Sequence, residues 1–218
     1  MRSTLFILAA FALVTPATAQ KKSPRPLPGL VRVQIVTDQG PITLALETRR
    51  APETTKNFLA YVDDGRFDGA VIYRSAKTKN AMQYGFIQGG IRTDARRILP
   101  PFKHERTDRT GVHHTDGTIS MARRTEPNSA GGNFFITLGA LPSFDAKGTF
   151  PGYAAFGHVV GGMAVVKKIH DGATGGRMGG QMLIRPVRIL SAKRLDGPAK
   201  PTGLVKPWLI KKPERRSR

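Results

Sequence analysis

The chain has 218 residues, 35 Lys or Arg against 15 Asp or Glu, and no cysteine. That length suits one domain with extensions, and 39% hydrophobic residues are enough for a sizeable core. The lack of cysteine excludes disulfide scaffolds, thiolate metal sites and cysteine nucleophiles.

Arg2 precedes the apolar run Leu5-Phe6-Ile7-Leu8-Ala9-Ala10-Phe11-Ala12-Leu13-Val14, which Pro16 interrupts, and Ala17-Thr18-Ala19 then places small residues before Gln20. Residues 1–19 thus have the layout of a secretory signal peptide, and the run falls short of the about 20 apolar residues needed to cross a bilayer. No later run is longer, so an exported protein without a membrane span is expected. Residues 20–30, with three prolines and three basic residues, read as an extended basic spacer.

Regular patterning starts at Val31. Val31, Val33 and Ile35 alternate with Arg32 and Gln34, and after Asp38-Gln39-Gly40 the alternation resumes at Ile42, Leu44 and Leu46. This predicts a β-hairpin with one buried face. Ala51-Pro52-Glu53 opens a helix to about Asp63, with Pro in its first turn, Glu near its positive end, and Phe58, Leu59 and Val62 on one side. Short strand-like runs follow at 70–74, 85–88, 118–122, 133–138, 154–160 and 187–192, with a second helix at 163–170. Many short strands with Gly-containing loops and two helices suit a barrel or sandwich, not a parallel α/β fold. No internal repeat is present.

The pattern ends at Ala192. Residues 193–218 carry four prolines and nine Lys or Arg against two acids. They read as a disordered basic tail, or as a docking segment anchored by Trp208-Leu209-Ile210. The net charge of +20 favours anionic partners, so weak contacts of this tail with polyanions or an envelope surface are expected.

The chain has no Gly-x-Ser-x-Gly, no phosphate loop and no His-Glu-x-x-His. His104, His113, His114, His158 and His170 match no metal-ligand spacing, and no two acids are marked as a hydrolytic pair. The chain is therefore a binding module, or it catalyses a reaction that needs no nucleophile, metal or cofactor.

Three blocks bear on that choice: Val71-Ile72-Tyr73-Arg74; Gly85-Phe86-Ile87-Gln88-Gly89-Gly90; and Gly117-Thr118-Ile119-Ser120-Met121-Ala122-Arg123, continued by Pro127-Asn128-Ser129-Ala130-Gly131-Gly132-Asn133-Phe134-Phe135-Ile136 and Tyr153-Ala154-Ala155-Phe156-Gly157-His158-Val159-Val160. In this order and spacing they resemble the cyclophilin-type peptidyl-prolyl cis–trans isomerases, over residues 31–192. The resemblance implies a closed, mainly β fold: an eight-stranded antiparallel barrel capped by two α-helices. It also implies isomerisation of X–Pro bonds without a cofactor, on proline-containing polypeptides; a monomer is expected. With the leader, it points to a periplasmic enzyme acting on exported proteins. A catalytically weak peptide-binding chaperone or scaffold and a basic polyanion- or envelope-binding module are the alternatives.

Carried over by position, the resemblance makes Arg74 the catalytic arginine facing the proline amide and Gln88 the glutamine that steadies it. Phe135 is the aromatic floor of a proline pocket, Phe86 and Phe144 line it, and Tyr153 stands where many eukaryotic members have His. Ala122 and Asn133 match positions that contact the substrate backbone. The chain departs from the family pattern at several points. Tyr73 replaces the usual His, Gly85 replaces a pocket Phe and so removes a wall, and Asn133 replaces a Gln. Ser143 replaces Trp or Phe and implies weak cyclosporin inhibition. Ile91 replaces Asp after Gln-Gly-Gly, and residues 75–84 form a longer connection.

Overall fold

The computed structural model describes residues 28–209, so the expected leader and most of the spacer lie outside the described residues. The first two strands, β1 (Leu30–Thr37) and β2 (Gly40–Glu47), form the expected hairpin, with Thr37 opposite Gly40. Its inward side chains Val33, Ile35, Ile42, Leu44 and Leu46 are fully buried, as the alternation requires.

Next comes α1 (Pro52–Asp63), which has no side-chain cap of its own at Ala51. The Glu105 carboxylate from a distant loop accepts from the backbone N–H groups of Glu53 and Thr54 and from the Thr54 hydroxyl. An anion thus meets the unpaired donors and positive dipole end of the helix. Phe58 carries the helix into the core, where its ring meets those of Phe67, Phe134 and Phe156 at 5.1–5.6 Å.

The remaining elements are β3 (Val71–Thr78), β4 (Ala81–Gly90), α2 (Thr107–Thr110), β5 (Thr118–Met121), β6 (Asn133–Leu138), β7 (Ala154–Gly161), α3 (Met163–His170), β8 (Thr174–Gly175), the turn-like α4 (Arg177–Gly180) and β9 (Met182–Arg194). The strands pair antiparallel in the order β1-β2-β7-β5-β6-β4-β3-β9, and β9 returns to β1, closing an eight-stranded barrel. Two-residue β8 is an appendage on β9. The fold expectation therefore holds, with α1 and α3 as its two longer helices and α2 and α4 as single turns. Val166 and Ile169 of α3 are buried in the same core as Phe58.

Strand β9 begins five residues before, and ends two residues after, the 187–192 segment expected from patterning. Pro186 obscures it, because proline cannot donate to a ladder. The strand passes this point by an irregular register: Ile72 faces Val187 while Arg74 faces Met182, leaving Pro186 among the residues without a partner on β3.

The chain beyond the expected boundary at Ala192 is ordered against the barrel as far as Leu209. Asp196 receives a bidentate interaction from Arg32 and also accepts from its backbone N–H. Thr202 donates from both backbone and hydroxyl to the buried Asp64, at 2.8 and 2.6 Å. Trp208 lies with its ring face 4.7 Å from the guanidinium of buried Arg66 and 5.5 Å from that of Arg97. Of the two sequence-level readings of the tail, docking through Trp208 describes this part; residues 210–218 lie outside the described residues.

Candidate active site

The site starts from a bulge. On β3, Ile72 faces Gly89 and Arg74 faces Gln88, so Tyr73 is an extra residue with no ladder partner. A bulge re-aims the side chains around it. Tyr73 turns into the protein and is buried, while Arg74 stays half-exposed beside Gln88 on β4.

Arg74 is held from two sides. Its Nη1 donates to Gln88 Oε1 at 2.9 Å, and its Nε and Nη2 both donate to Gln181 Oε1, at 2.9 and 2.5 Å. Three of the five guanidinium N–H donors are therefore occupied, which leaves two for a ligand. Gln88 Nε2 donates to Tyr73 Oη at 2.8 Å, and Tyr73 Oη donates to Asn133 Oδ1 at 3.4 Å. Burial draws the Arg74 pKa below the ordinary arginine value, against an opposing pull from Tyr73 and Tyr153. Arginine nevertheless remains charged at neutral pH.

Beside Arg74 is an aromatic shelf. The guanidinium carbon sits 4.8 Å over the Phe86 ring, and the Phe86, Phe135, Phe144 and Tyr153 rings meet at 5.2–5.6 Å, mostly edge to face. Phe135 is the floor, at 3% exposure, while Phe86, Phe144 and Tyr153 remain partly exposed. The six residues expected to be catalytic or to form the pocket thus converge from β3, β4, β6 and the loop before β7.

Behind Phe135 lies a bracing group that sequence reading missed. The buried His114 ring is nearly parallel to Phe135, with centroids 5.8 Å apart. His114 Nδ1 is 2.6 Å from Asp145 Oδ1, and Nε2 is 3.0 Å from Ser120 Oγ. The connectivity is that of a hydrolytic triad, but Ser120 and His114 are at most 2% exposed and covered by Phe135. No acyl group reaches that serine; the group fixes the shelf instead.

Ala122 and Asn133 lie next door, lining with Gln88 and Tyr73 a cleft of about 650 Å³. The structure gives Asn133 partners that the sequence does not show. Its amide is committed to the loop after β4, accepting from Arg92 N–H and donating to Arg92 C=O, both at 2.8 Å. Asn133 thus clamps that loop while lining the cleft. Gly85 differs from expectation. It has φ +140°, and a Cβ there would lie 1.9 Å from the Ala76 carbonyl and 3.1 Å from His170 Nε2. A side chain at 85 would collide with backbone away from the shelf, so its loss removes no wall. Ser143 is exposed, beside Phe144 in a short 3-10 turn.

Gln181 is the other site residue absent from the sequence reading. It follows a Gly-rich turn containing Met178 and Gly179, both at positive φ, and its carbonyl accepts from Ser75 N–H at 3.0 Å. Nothing local marks it; only the pairing of β9 with β3 brings it to Arg74.

Comparison with known proteins identifies the family. Residues 32–194 match the family model described as cyclophilin type peptidyl-prolyl cis-trans isomerase/CLD. The peptidyl-prolyl cis-trans isomerase cyp18 of Streptomyces antibioticus is 35% identical over 170 residues, covering 75% of this chain and 98% of that protein. Peptidyl-prolyl cis-trans isomerase A of Dickeya dadantii is 36% identical, covering 76% and 80%. The fold is also that of a Cryptosporidium parvum cyclophilin-type isomerase crystallised in the presence of the dipeptide Ala-Pro, with a TM-score of 0.60, 23% identity and coverage of 74% and 97%. The chain belongs to the cyclophilin-type peptidyl-prolyl cis–trans isomerases, and its reaction is that of this family.

Proposed function

We propose that this isomerase works by holding the proline ring on the shelf of Phe86, Phe135, Phe144 and Tyr153 while Arg74 stabilises the twisted amide. Amide resonance sets a rotational barrier of roughly 18–20 kcal/mol. As the X–Pro bond twists, conjugation is lost and the lone pair localises on the proline nitrogen. A donor aimed at that nitrogen favours the twisted state over both planar isomers, which lowers the barrier without proton transfer or a covalent intermediate.

The observation that carries the reading is the two-sided grip of Gln88 and Gln181 on Arg74. It leaves two charged N–H donors at the edge of an aromatic surface. A planar guanidinium fixed in this way meets the developing lone pair without having to reorganise. Gln88, which holds Arg74 and lines the cleft, and Ala122 on the cleft wall contact the substrate backbone in this reading.

The leader-like residues 1–19 support action outside the cytoplasm, in the periplasm, on X–Pro bonds of exported proteins. The test is isomerisation of an Ala-Pro peptide by wild type and Arg74→Ala, with peptide binding measured in parallel. Loss of catalysis with binding retained is expected. Binding without catalysis in the wild type would leave a peptide-binding barrel.

A further inference from the structure

The cleft beside the shelf is lined by Arg92, Arg123, Arg124 and Arg177 and by no Asp or Glu. These arginines come from three separate segments: the loop after β4, the loop after β5, and α4. Elsewhere the protein pairs many of its arginines with carboxylates, as in Arg32–Asp196, Arg66–Asp64, Arg97–Asp94 and Arg194–Asp63. The cleft arginines have no such partner among the described residues. Arg92 is exposed, with its guanidinium 5.6 Å over the Tyr73 ring. Arg123 donates only to the main-chain carbonyls of Gly152, Arg124 and Thr125. Arg124 and Arg177 are exposed, and their side chains make no hydrogen bond or ion pair within the described residues.

We propose that this cleft is a charge-selecting subsite that takes an acidic side chain of the substrate polypeptide near the proline being isomerised. The inference rests on the isomerase reading above and adds a substrate preference to it. Position supports it, because Gln88, which holds Arg74, and Tyr73, which Gln88 bonds, both stand in the cleft wall. An extended peptide advances about 3.3 Å per residue, so a residue one to three places from a shelf-bound proline falls within it. The chemistry supports it too. Buried Ile91, Leu99 and Ala130 line the same cleft, and apolar walls focus the field of unneutralised charges. A carboxylate entering there meets guanidinium forks suited to it, whereas a Lys or Arg side chain is repelled.

The test uses Ala-Pro peptides carrying Glu, Gln or Lys at each of the three positions on either side of the pair, and reads kcat/KM. At one or more of these positions the Glu peptide is expected to exceed its Gln counterpart by about fivefold, with the Lys peptide below both. Raising the ionic strength from about 0.01 M to about 1 M, which shortens the screening length from about 30 Å to about 3 Å, should erase most of that ratio. The double variant Arg124→Glu, Arg177→Glu leaves Arg92 and Arg123 against two new carboxylates, so the Glu preference should vanish while the Gln peptide is still turned over, which a misfolded protein could not do. Equal turnover of Glu, Gln and Lys peptides at every position would overturn the proposal. So would a Glu preference that survives the double variant. Failure to turn over any of the peptides would instead remove the isomerase reading and the subsite with it.

Discussion

The side-chain oxygen of Gln181 accepts from both Nε and Nη2 of Arg74, a residue 107 positions earlier in the chain. Gln88 holds the opposite side of the same guanidinium at 2.9 Å. Between them the two glutamines fix the plane of the fork, and thus the direction of its free donors.

Gln181→Ala removes one of these supports and leaves the barrel ladder intact. Hydrogen bonds to charged groups contribute about 1.5–3 kcal/mol, discounted here because Arg74 is only half-buried, so kcat/KM for an Ala-Pro peptide should fall about tenfold. Gln181→Glu, which keeps an acceptor, should retain more activity than Gln181→Ala. Equal loss in both variants would mean that Gln181 acts only through local structure.

The shelf predicts a split between stability and activity. Phe135 is buried against three other rings and His114, so Phe135→Ala should cost about 3–5 kcal/mol in denaturant unfolding. Phe86, partly exposed, should cost about 1 kcal/mol when cut to Ala, while isomerisation drops in both variants. A stable, fully active Phe135→Ala protein would contradict the assignment of the floor.

Much of the framework was legible because its signals are local. The alternation at Val33, Ile35, Ile42 and Leu44 marks the first hairpin, and Pro52 with Glu53 marks α1. Both Asn133–Leu138 and Met163–His170 fall where their patterning places them. The residues that converge on the shelf came from spaced motifs, each weak alone. What escaped depends on contacts distant in sequence. The unpaired Tyr73 becomes a bulge only through the register of β4 and β9, Gln181 meets Arg74 only across the sheet, and Pro186 hides a strand. The docking of Trp208 likewise depends on Arg66 and Arg97, which no tail composition reveals.

Trp208 is the only tryptophan, so its fluorescence reports tail docking directly. Burial alone would raise the Asp64 carboxyl, yet hydrogen bonds from Thr202 and Arg66 outweigh it and hold the pKa below the usual aspartate value. Thr202→Ala removes the hydroxyl bond to this carboxylate, which should cost about 1–2 kcal/mol. It should also shift the Trp208 emission toward that of the unfolded chain. Emission unchanged by Thr202→Ala would show that Trp208 docks independently of Asp64.

Burial lowers the pKa of His104, His114, His158 and His170 below the ordinary histidine value. Between the depressed folded values and about 6.5 the unfolded chain binds more protons, so stability rises with pH in that window. It is fully present above about pH 6.5 and is lost as pH falls through the folded values. The Tm should therefore fall between about pH 7.5 and about pH 5; a flat or rising Tm would contradict this linkage.

The most direct test of the mechanism is kcat/KM for an Ala-Pro peptide with wild type, Arg74→Ala and Arg74→Lys, alongside the peptide Kd of each. A directed, charged fork predicts a loss of about 10²–10³ in Arg74→Ala, only partial recovery in Arg74→Lys, and Kd values within a few-fold of wild type. Wild-type turnover by Arg74→Ala would contradict it.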